Sequence, residues 1–250
     1  MTAEILVESP VQDTTSGQTK TIASIVVPAY NEEAGLAVIL EKIHRAVNGV
    51  CEVLVIDDGS DDNTAEVAAG FPCRLVRHPR NLGKGEALRS GVRQAVGKYV
   101  IFIDADDTYP AEAIPLMYEA LESCDIVYAS RKVGRNNIPP LNRLGNFIFQ
   151  HMIRRIYGFE ASDYSTGLYG IRKHHLEVMR VNSQGFAIEP EIAIKATRMK
   201  LQVSEIPVEY RPRVGQAKLG SLRAGFGHLT TILRLLFWQP PPVARHARRE

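Results

Sequence analysis

Between residues 22 and 131 the chain alternates between two hydrophobic rhythms. "IASIVVPAY" (22–30), "CEVLVIDD" (51–58), "CRLVRHP" (73–79), "KYVIFIDAD" (98–106) and "DIVYASR" (125–131) are near-continuous apolar runs, as strands buried on both faces require. Between them the period changes. Leu36, Ile39, Leu40, Ile43 and Val47 recur at helical spacing. "NTAEVAAGF", with Asn63 or Thr64 as its cap, "GKGEALRSGVRQAVG" and "PAEAIPLMYEALES" predict three more helices. Strands and helices in this alternation predict an α/β fold, a mostly parallel central sheet with helices on both faces.

The second half is more mixed. A helix is predicted over 141–158, and "STGLYGIRK" (165–173) reads as a short strand leading into a helix through "HHLEVM". "EPEIAIKATRMK" is helical and "QVSEIPVEYRPR" a strand. A last helix, Leu222 to Trp238, stops at Pro240–Pro242. Its Leu222, Phe226, Leu229, Leu233 and Leu236 share one face, with Arg223, Thr230 and Arg234 on another and an Arg-rich tail behind. That is the pattern of an amphipathic helix lying in a membrane interface, and equally of a helix packed on its own domain. No uncharged apolar run approaches the roughly 20 residues that span a bilayer. Residues 1–20 are polar, unlike a secretory signal, and read as a disordered tail. The expected organisation is a tail over 1–20, one domain over 21–220, and an amphipathic helix with a basic tail over 221–250.

Composition changes this picture little. A net charge of +2 makes no case for nucleic acid as a partner, but the charge is unevenly spread. Acidic residues crowd 57–62 and 104–107; basic ones gather at 131–155, 211–218 and the C-terminus. Three cysteines, Cys51, Cys73 and Cys124, lack metal-ligand spacing and fit reduced thiols in a cytosol.

The acidic clusters carry the chemistry. "VIDDGSDD" and "FIDADD" each close a buried strand, and "PAYNEE" closes the first. In a parallel sheet those ends share one edge, where ligands bind. Pro28, Tyr30, Glu32, Asp58, Asp104 and Asp106 therefore converge. One isolated Asp-Ala-Asp is most simply a turn, but three acidic strand ends in register argue for a site. Asp-x-Asp suits a hard cation, Mg2+ or Mn2+, which combines one or two carboxylates with substrate phosphates. No Gly-rich phosphate loop follows the first strand, so a bound diphosphate must rely on metal and basic side chains. Lys84, between two glycines at a helix start, is one such candidate.

Taken together, "VVPAYNEE", "VIDDGSDDNT", "NLGKGEALRSG" and "DADDTYP" resemble the inverting family-2 glycosyltransferases, over roughly residues 22–235. The later "ASRKVGRNNIPPLNRLGN", "DYSTGLYGIRK", "SQGFAIEPEI" and "EIPVEYRPRVGQAKLG" are most similar to the polyprenyl-phosphate hexosyltransferases, the dolichyl-phosphate mannose and glucose synthases. The resemblance implies a GT-A fold with a nucleotide-sugar half (21–131) and an acceptor half (132–220). It implies transfer of a hexose from a UDP- or GDP-sugar to polyprenyl phosphate, at the cytoplasmic face of a membrane. Pro28, Tyr30, Glu32 and Asp58 would hold base and ribose, Asp104 and Ala105 the ribose and diphosphate. Asp106 would ligate the metal with Asp104. Thr108 stands where the mannosyl enzymes carry a further ligand, Gln. Arg213 and Lys218 would close over the phosphates, and Arg131 and Arg143 would receive the acceptor phosphate.

A phosphate acceptor also makes chemical sense. It is already anionic and needs positioning and charge screening rather than a general base. Gln184, Glu189 and Glu191 are candidates for positioning the acceptor or closing loop, with Glu189 and Glu191 equally readable as an acidic helix start. His174, His175 and His228 read as ordinary residues. Transfer to a soluble glycan or metabolite is the alternative. A nucleotidyltransferase would open with a Gly-rich basic loop. A non-catalytic nucleotide-sugar-binding protein would not need both Asp104 and Asp106.

Overall fold

The computed structural model describes residues 6–8, 21–47, 49–215 and 221–242. Its centre is an eight-stranded sheet. In chain order the strands are β1 (Leu6–Glu8), β2 (Ala23–Ala29), β3 (Cys51–Asp57), β4 (Arg74–Arg77), β5 (Tyr99–Ile103), β6 (Ile126–Val133), β7 (Leu168–Arg172) and β8 (Val203–Glu209). Their spatial order is β1-β4-β3-β2-β5-β7-β6-β8. β4, β3, β2 and β5 are mutually parallel, and β6 and β8 run in the same direction; β1 and β7 oppose them. The sheet is thus mostly parallel, as expected. Two features were not foreseen. Leu6–Glu8, within the expected tail, forms an edge strand against β4. β7 inserts antiparallel between β5 and β6.

Helices α1 (Glu33–Ala46), α2 (Thr64–Ala69), α3 (Lys84–Gln94), α4 (Ile114–Ser123), α5 (Pro140–Tyr157), α6 (Lys173–Met179), α7 (Ile188–Arg198) and α8 (Ser221–Arg234) cover both faces. Because strand side chains alternate, each central strand feeds two cores. Ile25, Val27, Val53, Val55, Ile101 and Ile103 pack with α1, α2 and α4. Val26, Leu54, Ile56, Val100 and Phe102 face the other way, toward α3, α5, α6, α7 and α8. That double burial is why these segments read as unbroken apolar runs. The chain adds β3 and β4 on one side of β2 and then β5 on the other. This reversal opens a crevice at the strand ends between β2 and β5.

Candidate active site

The crevice is assembled from three strand ends. After β2, Asn31 takes a positive φ of 52° and turns the chain into α1. Its N–H donates to Ser60 Oγ (2.9 Å), and that of Glu32 to Thr64 Oγ1 (2.8 Å), so the β2 and β3 ends are stitched together. After β3, buried Asp57 accepts from Ser60 N–H (2.9 Å) and pairs with Arg77 (3.0 Å). Asp58 binds His78 Nδ1 (2.6 Å) and the amides of Leu82 (3.0 Å) and Gly83 (2.7 Å); His78 Nε2 lies 2.8 Å from Ser90 Oγ. Both Asp58 oxygens are thereby engaged in fixing the loop that ends at Lys84.

The β5 end delivers the two carboxylates. Lys84 Nζ donates to Asp104 Oδ1 at 2.8 Å and meets Glu189 Oε1 at 2.9 Å. Burial pulls the Lys84 pKa down, but Asp104 and Glu189 outweigh it and hold the ammonium above the usual lysine range. Asp106 Oδ2 accepts from Arg213 Nη1 at 2.6 Å, and the second guanidinium nitrogen binds Glu32. The Thr108 hydroxyl donates to Asp106 Oδ1 at 2.6 Å. Burial, and then the neighbouring charge of Asp104, raise the Asp106 pKa above the aspartate norm despite Arg213 and Thr108. The segment carrying Arg213 docks by backbone: Arg211 N–H to Thr108 O (2.9 Å) and Val214 N–H to Asp106 O (3.0 Å).

Most of the expected residues do meet here. Six of them form two charge triads side by side, Glu189–Lys84–Asp104 and Glu32–Arg213–Asp106, which meet at the like-charged Asp104 and Asp106. Pro28 and Tyr30 lie at the β2 end beside it, both half-buried. Ala105 is buried, its carbonyl so close to Gly35 of α1 that a Cβ there would stand 2.6 Å from the oxygen. Lys218 lies outside the described residues.

Other expectations are revised. Arg131, expected at the acceptor phosphate, stands on a carboxylate of its own. It is buried and doubly bonded to Asp163, at 2.7 Å through Nε and 2.7 Å through Nη2. Glu191 is likewise committed: fully buried, it pairs with Lys195 (2.6 Å) and accepts from the amides of Asn182 (3.0 Å) and Ser183 (2.6 Å). Thr108 is buried with its hydroxyl spent on Asp106, so it supports that carboxylate rather than standing open. Arg143 stays exposed near the start of α5, touching Asn136 (3.2 Å). Gln184 is exposed at the turn before α7. Asp107, unassigned from the sequence, takes a φ of 59° and binds Lys42 of α1 through both oxygens, at 2.7 and 2.6 Å.

Sequence reasoning missed Gly167. In the antiparallel register Leu168 faces Ile103, which places Gly167 beside Asp104. A Cβ there would lie 1.9 Å from Asp104 Oδ2, so only glycine leaves the carboxylate its place. The signal was the "TGLYG" preceding an apolar strand, readable only once β7 is known to pair with β5.

Among the described residues no three His, Cys, Asp or Glu side chains gather as a self-sufficient metal cage. Two carboxylates at one strand end, one partly exposed and both partnered by side-chain cations, fit a cation completed by ligand phosphates. The thiols offer no alternative chemistry: burial pushes Cys51 and Cys73 up to about 11.

Comparison with known proteins agrees with this geometry. Residues 24–180 match the family described as Glycosyl transferase family 2. A dolichyl-phosphate hexose transferase of Haloferax volcanii is 30% identical over 204 residues, spanning 81% of this chain and 88% of the relative. A dolichol-phosphate mannosyltransferase of Pyrococcus furiosus is 30% identical over 86% of this chain and 64% of its own length. An undecaprenyl-phosphate 4-deoxy-4-formamido-L-arabinose transferase of Pectobacterium atrosepticum is 32% identical over 74% and 59%. This chain thus spans less than two thirds of those last two. In fold it is similar to glucosyl-3-phosphoglycerate synthase of Mycobacterium tuberculosis, solved with Mn2+, UDP and phosphoglyceric acid (TM-score 0.73, 21% identity, 94% of this chain and 87% of that one).

Proposed function

The chain belongs to glycosyl transferase family 2, and from that premise we propose that it moves a hexose from a UDP- or GDP-sugar to a polyprenyl phosphate with inversion. The observation that carries the reading is the pairing of Asp104 and Asp106 at the β5 end with Lys84 and Arg213. That is a charge pattern built to exchange internal ion pairs for a metal-bound diphosphate. The lipid-phosphate acceptor rests on the relatives named for that class of acceptor.

Asp104 and Asp106 would hold Mg2+ or Mn2+, and when bound the ion screens the diphosphate and its charge on departure. The absence of a Cβ at Gly167 keeps Asp104 Oδ2 free of steric crowding. Lys84 and Arg213 lie on the two carboxylates and are placed to turn to diphosphate oxygens as the donor enters. Lys218, five residues beyond Arg213, is assigned to the same task from the sequence. Pro28, Tyr30, Glu32 and Asp58 frame the base and ribose, Asp58 by holding the 80–83 loop. A phosphate oxygen of the acceptor attacks the anomeric carbon from the face opposite the diphosphate. The carbon–oxygen bond to the diphosphate breaks, and nucleoside diphosphate leaves. No proton need be removed from the nucleophile. Arg143 and Arg131 are the assigned acceptor contacts, Arg143 exposed and Arg131 paired with Asp163.

Peripheral membrane contact belongs to the same reading. No helix among the described residues is long and apolar enough to cross a membrane. α5 and α8 pack together, Phe149 meeting His228 at 5.3 Å between ring centroids. Both expose large apolar side chains, including Phe147 (62%) and Leu144 on α5 and Phe226 (70%) and Leu233 on α8. Neither 140–157 nor 221–242 contains an acidic residue, and both carry arginines. Apolar groups interleaved with cations suit an anionic bilayer surface.

The test is a transfer assay with labelled nucleotide sugars, Mn2+ and a short polyprenyl phosphate. Label entering the lipid phase only when the lipid is phosphorylated supports the reading. Free hexose or a water-soluble product with no labelled lipid would falsify it.

A further inference from the structure

We propose that His228, on the C-terminal helix α8, is a positioning residue for the diphosphate end of the donor site, acting on Lys84 through the turn at 183–187. The proposal rests on the reading of Lys84 as a diphosphate contact. His228 lies beyond residues 24–180, the segment shared with the family, and looked unremarkable in the sequence.

The imidazole is buried and doubly bonded. Nε2 sits 2.7 Å from the carbonyl oxygen of Phe186, and Nδ1 sits 3.1 Å from Tyr164 Oη. A carbonyl only accepts, so Nε2 carries the hydrogen, and Nδ1 accepts from the tyrosine hydroxyl. Burial lowers the His228 pKa, which agrees with one neutral tautomer. α8 grips the same turn twice more: Thr231 Oγ1 lies 3.3 Å from Ser183 Oγ, and Arg234 Nη2 donates to that hydroxyl at 2.8 Å.

The opposite side of the turn is the perch of Lys84. The Phe186 ring lies under Lys84 Nζ, 5.2 Å from nitrogen to centroid. The Ser183 carbonyl accepts from Arg89 of α3 at 2.7 Å and lies against Gly85, where a Cβ would stand 2.4 Å from the oxygen. α7 begins directly after the turn and supplies Glu189, the second carboxylate on Lys84. One short segment therefore touches α8 on one side and sets both the ring and the carboxylate around Lys84 on the other. The Phe186 carbonyl is the joint, and His228 is the group that holds it.

The experiment is calorimetric binding of nucleoside diphosphate and of the corresponding nucleoside with Mn2+, using whichever of UDP and GDP binds the wild-type chain more tightly. His228→Phe keeps a ring against Phe149 and removes both polar contacts. It should lower the preference for diphosphate over nucleoside about tenfold while nucleoside affinity stays within twofold. His228→Gln, which retains an N–H donor, should restore most of the preference. Phe186→Leu, at an exposed site, removes the ring under Lys84 and leaves the backbone carbonyl that His228 binds, and should lower the preference as well. An intact preference in His228→Phe and Phe186→Leu, or an equal fall in nucleoside affinity, would overturn the relay alone. A wild-type chain with no preference for the diphosphate would overturn the donor-site reading and the relay with it.

Discussion

Asp106 shows how the site trades stability for chemistry. Its folded pKa is raised by burial and by Asp104, so the fold disfavours its charged form. For a carboxyl shifted upward, stability is gained as pH falls through the folded pKa and is withheld above it. At neutral pH Asp106 therefore costs stability. Asp106→Asn should melt at a higher temperature than wild type at pH 7 while losing metal-dependent turnover by on the order of 10²-fold. Mn2+ should raise the wild-type melting temperature and leave that of the variant unmoved. A variant that melts lower and still turns over would contradict both parts. Gly167→Ala drives a methyl into Asp104 Oδ2. It should destabilise by about 1–3 kcal/mol, as overpacking does, and weaken Mn2+ binding measured by calorimetry. At this scale the sequence was readable where chemistry sits on a strand end, as at Asp104 and Asp106. It was unreadable where a partner is remote. Nothing near Arg131 announces its partner Asp163, 32 residues on.

Among the elements, α7 and α8 form one electrostatic unit. Glu191 pairs with Lys195, and Arg234 of α8 approaches the same carboxylate at 3.7 Å. The Lys195 ammonium also faces the Trp238 ring, 5.2 Å from its centroid. Burial alone would raise the Glu191 pKa, but Lys195 and the Ser183 amide outweigh it and hold it below the usual glutamate range. The stabilisation is therefore present above the unfolded value of about 4.3 and is lost as pH falls through the depressed folded one. Glu191→Ala, which leaves Lys195 buried and unpaired, should cost about 3–5 kcal/mol in urea unfolding at pH 7, and the deficit should shrink below about pH 4. A deficit unchanged across that range would place the effect elsewhere. Element identities were legible because strands buried on both faces are uniformly apolar while helices keep a 3.6 period. The direction of β7 was not. A five-residue apolar strand carries no mark of which neighbour it will join, and that pairing, not local propensity, seats Gly167 beside Asp104.

Across the whole molecule, charge is segregated. The crevice gathers carboxylates, while α5 and α8 lack them and expose aromatic and aliphatic side chains beside arginines. Phe147→Ser with Phe226→Ser should reduce sedimentation with vesicles containing anionic lipid, and added salt should weaken wild-type binding. Unchanged binding in the double variant would remove these helices from the membrane contact. The α8 pattern was visible in the sequence, and its packing on the domain leaves an apolar face outward. Ile232 and Leu235 are buried on the domain while Phe226 and Leu233 face outward. The central claim is transfer of a hexose onto a phosphate, and phosphorus NMR follows it atom by atom. With nucleotide sugar and Mn2+, the polyprenyl phosphomonoester signal should convert to a phosphodiester as one equivalent of nucleoside diphosphate appears. Nucleoside diphosphate released while the phosphomonoester signal stays unchanged would contradict the account.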